Sequence, residues 1–500
     1  MLRRIFILAA LMMSLHVMAQ QAPKREFRGA WIQCINGQYI GKSMAEIRDM
    51  LSTQLDQLYV AGINAIFFQV RAEGDALYQS HLEPWSRYLT GLQGQGPDDG
   101  WDPLEWMVDE CHQRGMECHA WINPYRAKTK GTVQLDSKHA AVQHPERVFQ
   151  YGDLLIFNPA IERNRMYTCM VVEDILKHYD VDGIHIDDYF YPYPADGEEI
   201  PDEAYFQRSP RGFKNIEDWR RDNVNMLVRN LHDIIHDIKP LAKFGVSPFG
   251  IYHNSETGKS NRGGSATSGL QNYDQLYADV ILWQREGWVD YTIPQIYWNV
   301  GNKAADYAVL CRWWNNYCND RPLFIGQDVD RTVAGVDPAD STRNQQMLKL
   351  DIQRGLSNVQ GSCMWYAAAV ANDNGGYRTV LEEKYHRYPA LQPLMKFIDA
   401  KPPKPARHLR FVTKNSRVYL VWDAPKAKKL EDMACQYVVY RFAHGERIDI
   451  ENPENIVDIT PRAMNEGGSV ELEGDCSGYT YVVTTLDRLG NESKGVMMRL

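Results

Sequence analysis

A (β/α)8 TIM barrel followed by a small all-β sandwich is the fold that the sequence predicts, on three observations. Eight apolar, strand-like segments alternate with helical ones from residue 27 onward, and such alternation closes most naturally into a ring of parallel strands with right-handed crossovers. The run Lys401-Pro402-Pro403-Lys404-Pro405 interrupts that pattern, because prolines stop helices and stiffen the chain. Beyond it come short alternating strands separated by turn residues, the signature of a sandwich. A doubly wound open sheet is the alternative, but no Gly-x-Gly-x-x-Gly follows the first strand.

The elements follow in chain order. Arg3 and Arg4 precede the apolar run Ile5 to Leu15, and Val17-Met18-Ala19 supplies small residues before Gln20. Residues 1–19 are therefore expected to be a cleaved signal peptide, giving a protein exported to the periplasm or beyond the cell. No later stretch is long and apolar enough for an integral membrane span. The barrel is expected over residues 25–400, with strands Phe27–Cys34, Ala65–Arg71, Glu117–Tyr125, Asp182–Tyr189, Lys243–Phe249, Tyr291–Trp298, Leu323–Val329 and Gly361–Ala367. Helical stretches follow, among them Met44–Ala61, Pro103–Arg114, Arg163–Tyr179, Ile216–Ile238 and Tyr273–Glu286. Residues 401–405 form the linker, which predicts few contacts crossing near residue 403 and a barrel that folds alone when the chain is cut at Ala400. In residues 406–500, Leu420-Val421-Trp422 and the turn Asp487-Arg488-Leu489-Gly490-Asn491 resemble a fibronectin type III module.

Composition narrows the function. The chain has 55 basic and 64 acidic residues, a formal charge of −9, and so lacks the electrostatic footprint of a nucleic-acid partner. Its nine cysteines are scattered and odd in number, which reads as small buried side chains, with Cys435 and Cys476 as the one pair within the last domain. With no Cys-x-x-Cys, neither a structural metal nor a cofactor is expected.

Active sites of such barrels collect at the C-terminal ends of the strands. Alternation along each strand selects the lumen-facing set Gln69 and Arg71, then Glu73; His119, Trp121 and Asn123; His185 and Asp187; Gln295 and Tyr297. Asp187 is the leading catalytic carboxylate, nucleophile or base, because a carboxylate at the end of a buried strand needs either a partner or a task. The partner would be Arg71 or Arg28. Asp188 has the opposite parity but can turn inward where the strand breaks. Glycoside hydrolysis usually needs two carboxyls, so Glu73 is the expected companion that protonates the leaving group. Glu198, Glu199, Asp202 and Glu203 compete for that role. Aromatic residues crowd the same end, including Trp31, Trp121, Tyr189, Tyr297, Trp298 and Trp365, and their flat faces suit sugar rings. With Arg28, Arg71, Asn123, His185 and Gln295 they make the expected binding surface for a poly- or oligosaccharide.

A family resemblance rests on Phe27-Arg28-Gly29-Ala30-Trp31, Gln69-Val70-Arg71, Ala120-Trp121-Ile122-Asn123-Pro124, Phe157-Asn158-Pro159, the strand-four motif Asp182 to Pro192, Gly245-Val246-Ser247-Pro248-Phe249 and Gly287-Trp288-Val289-Asp290-Tyr291 running on to Trp298. These segments resemble the glycosyl hydrolase-like 10 family over about residues 25–390. The resemblance implies an exported bacterial glycosidase, with peptidoglycan strands lacking peptide stems as one substrate. Strand four is also distantly similar to that of chitinase barrels, but Tyr189 stands where their acid glutamate would be. Two rival readings are a metal-dependent deacetylase built on His119, His185 and Asp187, and a barrel that binds glycan without cleaving it.

Overall fold

Eight parallel strands close into a barrel in chain order in the computed structural model, which describes residues 22–500 apart from 131–133, 256–262, 473 and 475. The strands are β1 (Phe27–Ile32), β2 (Ala65–Arg71), β3 (Glu117–Ile122), β4 (Gly183–Ile186), β5 (Lys243–Val246), β6 (Tyr291–Thr292), β7 (Leu323–Asp328) and β8 (Val359–Trp365). The ring closes where Phe27 sits opposite Gly361 and Ala30 opposite Met364. The expected signal peptide lies outside the described residues. Among the described residues no helix is long and apolar enough to cross a membrane.

Local chemistry sets the helices of the outer layer. α1 (Met44–Val60) begins at a capping box between Ser43 and Glu46 and buries Ile47, Leu51, Leu55 and Leu58 on one face. α2 (Pro103–Gln113) starts with Asp102 as N-cap and a proline in the first turn. α3 (Glu162–His178) and α4 (Ile216–Ile238) pack together outside β4 and β5.

The lumen is filled by rings. Phe27, Trp31, Phe67, Trp121, Tyr291 and Phe324 form one buried cluster along the axis, and glycines leave room for their neighbours. A Cβ on Gly245 would meet the Tyr291 ring at 2.0 Å, and one on Gly183 would meet His119 Nδ1 at 2.5 Å. β4 and β6 are shorter than the sequence suggests. Pro294 lacks an amide hydrogen and ends the regular ladder of β6, while the β4 ladder stops before Asp187, so Asp187 and Asp188 both sit where the chain leaves the sheet. Between β3 and α3 an antiparallel sheet of Arg126–Lys128, Val148–Tyr151 and Leu154–Phe157, absent from the sequence reading, leans over the mouth.

After residue 405 come two antiparallel sheets. One orders β9 (Arg407–Lys414), β10 (Arg417–Asp423) and β13 (Gly468–Leu472); the other orders β12 (Ile456–Ile459), β11 (Gln436–Ala443), β14 (Tyr479–Leu486) and β15 (Val496–Arg499). Leu420, Trp422, Tyr437, Val439, Tyr481 and Val483 join the sheets face to face. The other face of the four-stranded sheet is also buried, with Val438, Tyr440, Phe442 and Val482 clustered with Leu391 of the barrel segment. The nine cysteines are buried thiols, and Cys435 and Cys476 are not bonded to each other.

This arrangement corrects the expectation of few contacts across the proline-rich linker. Arg462 reaches from the C-terminal sheets to Asp182 at 2.9 Å and lies 3.9 Å from Glu117, both at the N-terminal end of the barrel. Arg488 pairs with Asp180 at 2.7 Å and Asp182 at 3.2 Å, and Lys24 with Glu492 at 2.6 Å. A cavity of about 320 Å³ lies in this same seam, lined by Asn64, Glu117, Leu391, Gln436 and Arg462. It is at the opposite end from the mouth.

Candidate active site

Two adjacent carboxyls form the centre of the mouth. Asp187 Oδ2 accepts a hydrogen bond from Trp121 Nε1 at 3.0 Å, and Asp188 accepts from the Tyr193 hydroxyl and from Gln295. Arg126, on the small antiparallel sheet, lies 3.4 Å from the centre of the Tyr189 ring, and its charge acts on both carboxyls. Asp187 and Asp188 are each about 98–99% buried. Burial, reinforced by the neighbouring Asp188, pushes the Asp187 carboxyl up to about 8, while Arg126 and the Trp121 hydrogen bond oppose the shift. Asp188 is also raised by burial, against hydrogen bonds from Tyr193 and Gln295.

Aromatic rings surround the pair. Trp365 lies 6.2 Å from Trp121, 6.5 Å from Trp31 and 6.4 Å from Tyr297, stacked on the last at 20°. Phe249 bridges Tyr193 and Trp298 at 6.0 and 5.4 Å. Tyr189, Tyr297, Trp298 and Trp365 are partly exposed and Tyr193 more so, which leaves apolar faces available to a flat ligand beside buried acids.

Several expected residues lie elsewhere. Arg28 shares its parity with Ala30 and Ile32, at the N-terminal end of β1, and binds Glu26 at 2.8 Å and the Tyr388 carbonyl at 2.9 Å; it is a structural residue behind the sheet and not part of the mouth. Arg71 and Asn123 meet each other and not Asp187. The Arg71 guanidinium binds Glu83 at 2.7–3.0 Å and donates to the Asn123 carbonyl, and Gln69 donates to the Asn123 side chain at 3.0 Å. The arginine partner expected for Asp187 is therefore committed to Glu83. Glu73 is fully buried and accepts from Arg87 at 2.8 and 3.2 Å and from the Thr129 amide at 2.7 Å. These contacts tie the carboxylate into the wall of the mouth. Asp202 is likewise held by Arg220, at 2.6–3.2 Å.

His185 lies in the floor beneath the acids, not in the binding surface. Trp31 Nε1 can only donate, and it points to His185 Nε2 at 3.3 Å, which Ser247 Oγ also meets at 2.9 Å. His185 Nδ1 therefore carries the proton and faces the Tyr291 hydroxyl at 3.3 Å. That hydroxyl donates to His119 Nδ1 at 3.0 Å, and His119 Nε2 donates to Glu117 at 3.1 Å. The chain ends on Lys243, 2.6 Å from Glu117. The imidazole nitrogens of His119 and His185 face Trp31, Ser247, Tyr291 and Glu117 rather than Asp187, and among the described residues these two histidines and Asp187 do not bring ligand atoms around one point, as the deacetylase reading would require.

Arg126 is the residue that the sequence reading missed. Nothing in its local pattern marks it, since it follows the barrel strand in a segment whose pairing is set by residues 154–157. Replacing Arg126 by Met removes a charge that lowers the proton affinity of Asp187. The alkaline limb of the pH–kcat/KM profile is therefore expected to move upward, by up to about one pH unit, with turnover down roughly tenfold. An unmoved limb would show that the guanidinium only packs on Tyr189.

A family model described as Glycosyl hydrolase-like 10 matches residues 26–337. The chain is 38% identical over 501 residues to a protein named Glycosyl hydrolase YngK of Bacillus subtilis (strain 168), covering 98% of this chain and 96% of that one. It is 39% identical over 271 residues to Glycosyl hydrolase DigH of Escherichia coli (strain K12), covering 52% of this chain and 60% of the relative. Among solved structures, the PgaB (BpsB) glycoside hydrolase domain from Bordetella bronchiseptica aligns with a TM-score of 0.46 at 11% identity, over 72% of this chain and 99% of that one.

Proposed function

The chain belongs to the glycosyl hydrolase-like 10 family and is a glycoside hydrolase; from that premise we propose that it acts, after export, on a bacterial envelope glycan, with peptidoglycan strands lacking peptide stems as the substrate class. The observation that carries the mechanism is the adjacent pair Asp187 and Asp188, with one proton affinity raised into the neutral range. Two neighbouring carboxyls held in unlike surroundings divide into an acid and a base. Asp187, up to about 8, holds its proton at neutral pH and is the general acid for the leaving oxygen. This reverses the nucleophile or base role expected from the sequence. Asp188, with Tyr193 and Gln295 hydrogen-bonding its charged form, is the carboxylate that stabilises or deprotonates on the other side of the bond. Tyr297, Trp298 and Trp365 stack the sugar rings, while Trp121 holds Asp187 through its indole N–H. Glu73 acts at one remove, tying Arg87 and Thr129 into the wall of the mouth.

The test is release of new reducing ends from stem-free glycan strands across the pH range. The kcat/KM profile is expected to fall above about pH 8 as Asp187 loses its proton. Its acid limb is expected above the ordinary aspartate value of 3.8, the direction in which Asp188 is shifted. Tight glycan binding with no new reducing ends would overturn the substrate assignment, and a rate that rises through pH 8 would overturn the acid role of Asp187.

A further inference from the structure

We propose that His81, Asp174 and His178 form a zinc site on the flank of the barrel, away from the catalytic mouth. Asp174 and His178 are one helical turn apart in α3, so their side chains share a face. His81 comes from the loop after β2. One ligand atom from each of the three residues lies within 4.8 Å of the other two. Asp174 Oδ1 is 2.9 Å from His81 Nδ1 and 3.1 Å from His178 Nδ1, and the two imidazole rings are centred 4.5 Å apart, inclined at 31°. Donors at zinc bond lengths of about 2.0–2.1 Å in a tetrahedron stand about 3.3–3.4 Å from one another. The two carboxylate–imidazole spacings need to open by only a few tenths of an ångström.

The surroundings also match a metal site. The second oxygen, Asp174 Oδ2, accepts from the Ser80 hydroxyl and from the His81 amide, each at 3.2 Å. These contacts leave Oδ1 turned toward the imidazoles, the orienting role that outer hydrogen bonds play around metal ligands. Asp174 is buried, whereas His81 and His178 keep 64% and 48% of their side-chain surface exposed, so an ion has a path in and a fourth position for water. His178 Nδ1 also contacts the carbonyl of Asp174 at 2.9 Å. Binding moves the ring protons off the nitrogens facing Asp174, either to the other ring nitrogen or, from a charged imidazole, to solvent. Two imidazoles and one carboxylate select zinc and its neighbours over magnesium and calcium, which prefer all-oxygen shells.

The consequence is mechanical. The loop after β2 carries Glu83, which pairs with Arg71, and leads to Arg87, which clamps Glu73. An ion bridging His81 to α3 pins that loop to the helix layer.

The experiment uses the full-length protein, stripped with chelator and dialysed, then titrated with ZnCl2 by calorimetry and followed by thermal melting. One zinc per chain is expected, with a dissociation constant of about 10 µM or tighter and a melting temperature higher by a few degrees. Magnesium and calcium chloride should give neither. His81→Ala and His178→Ala should each weaken binding at least tenfold while melting cooperatively without zinc. His144→Ala, at a histidine outside the cluster, should bind as the parent does. Stoichiometric binding that survives in the His81→Ala/His178→Ala double variant, or no saturable heat with the parent chain, overturns the site.

Discussion

Asp187→Asn is expected to lower turnover on stem-free glycan strands by at least about a hundredfold while leaving the protein as stable as the parent or more so. The two halves have one cause. Asparagine keeps the shape of the side chain and its hydrogen bond with Trp121 but carries no transferable proton. The buried carboxyl it replaces is raised from 3.8 to about 8, first by desolvation and then by Asp188. An unfolded chain releases that proton near 3.8. Between about pH 4 and pH 8 the unfolded state thus binds fewer protons, and stability falls as pH rises through this window. The contribution is fully present below 3.8 and is lost as pH climbs through 8. The variant has no such group, so its melting temperature should exceed the parent's by a few degrees at pH 7 and converge with it near pH 4. A carboxylate that merely neutralised an arginine would behave in the opposite way, with stability falling and turnover keeping pace with the folded fraction. Melting curves at both pH values and turnover on the same preparations decide the matter. A folded variant with near-normal turnover would remove Asp187 from the chemistry.

How much of this was legible in the sequence depends on how local the cause is. The helix Ile216–Ile238 has the bounds read from the sequence, because Asn215 caps it and one face is continuously apolar. β2 also matches end to end, since alternation of Ile66, Phe68 and Val70 against Phe67 and Gln69 needs only the strand itself. Asp187 stands out in the sequence because a carboxylate closing an apolar strand is costly without a purpose, and it is buried in the mouth beside Trp121. Parity misled where the chain had already left the sheet. Glu73 continues the count from Gln69 and Arg71, but its direction is set by Arg87 and Thr129, the latter 56 residues further on. Arg28, expected in the binding surface, lies one residue along β1 from Phe27 and so points the opposite way from Phe27 and Trp31, to Glu26 and the Tyr388 carbonyl. The role of His185 needed its partners from β1, β5 and β6, none of which has a local signature.

A chain ending at Ala400 is expected to be insoluble, or to melt more than ten degrees below the full protein, and the reason lies 280 residues away from the group it serves. Asp182 and Glu117 are both buried at the base of the barrel. Burial alone would raise their proton affinities. Instead Arg462, His112 and Arg488 hold Asp182 well below the usual carboxylate range, and Lys243, His119 and Arg462 hold Glu117 at about 2. Cutting the chain removes two of those cations and uncovers Leu391 and the apolar face that Val438, Tyr440 and Phe442 bury. The single change Arg462→Met isolates the electrostatic part. It should cost about 3 kcal/mol, the lower end for breaking a buried pair, because Arg488 and His112 remain beside Asp182. A carboxylate with depressed proton affinity contributes stability above its unfolded value and loses it as pH falls through the folded one. The deficit of Arg462→Met should therefore be complete at pH 7 and shrink as the pH drops below about 4 toward 2. Turnover per folded molecule should not change, since Arg462 is at the far end of the barrel from Asp187. If the truncated chain melts cooperatively at the temperature of the whole protein, the C-terminal sheets are an appendage after all, and the ion pairs of the seam contribute nothing that the barrel needs.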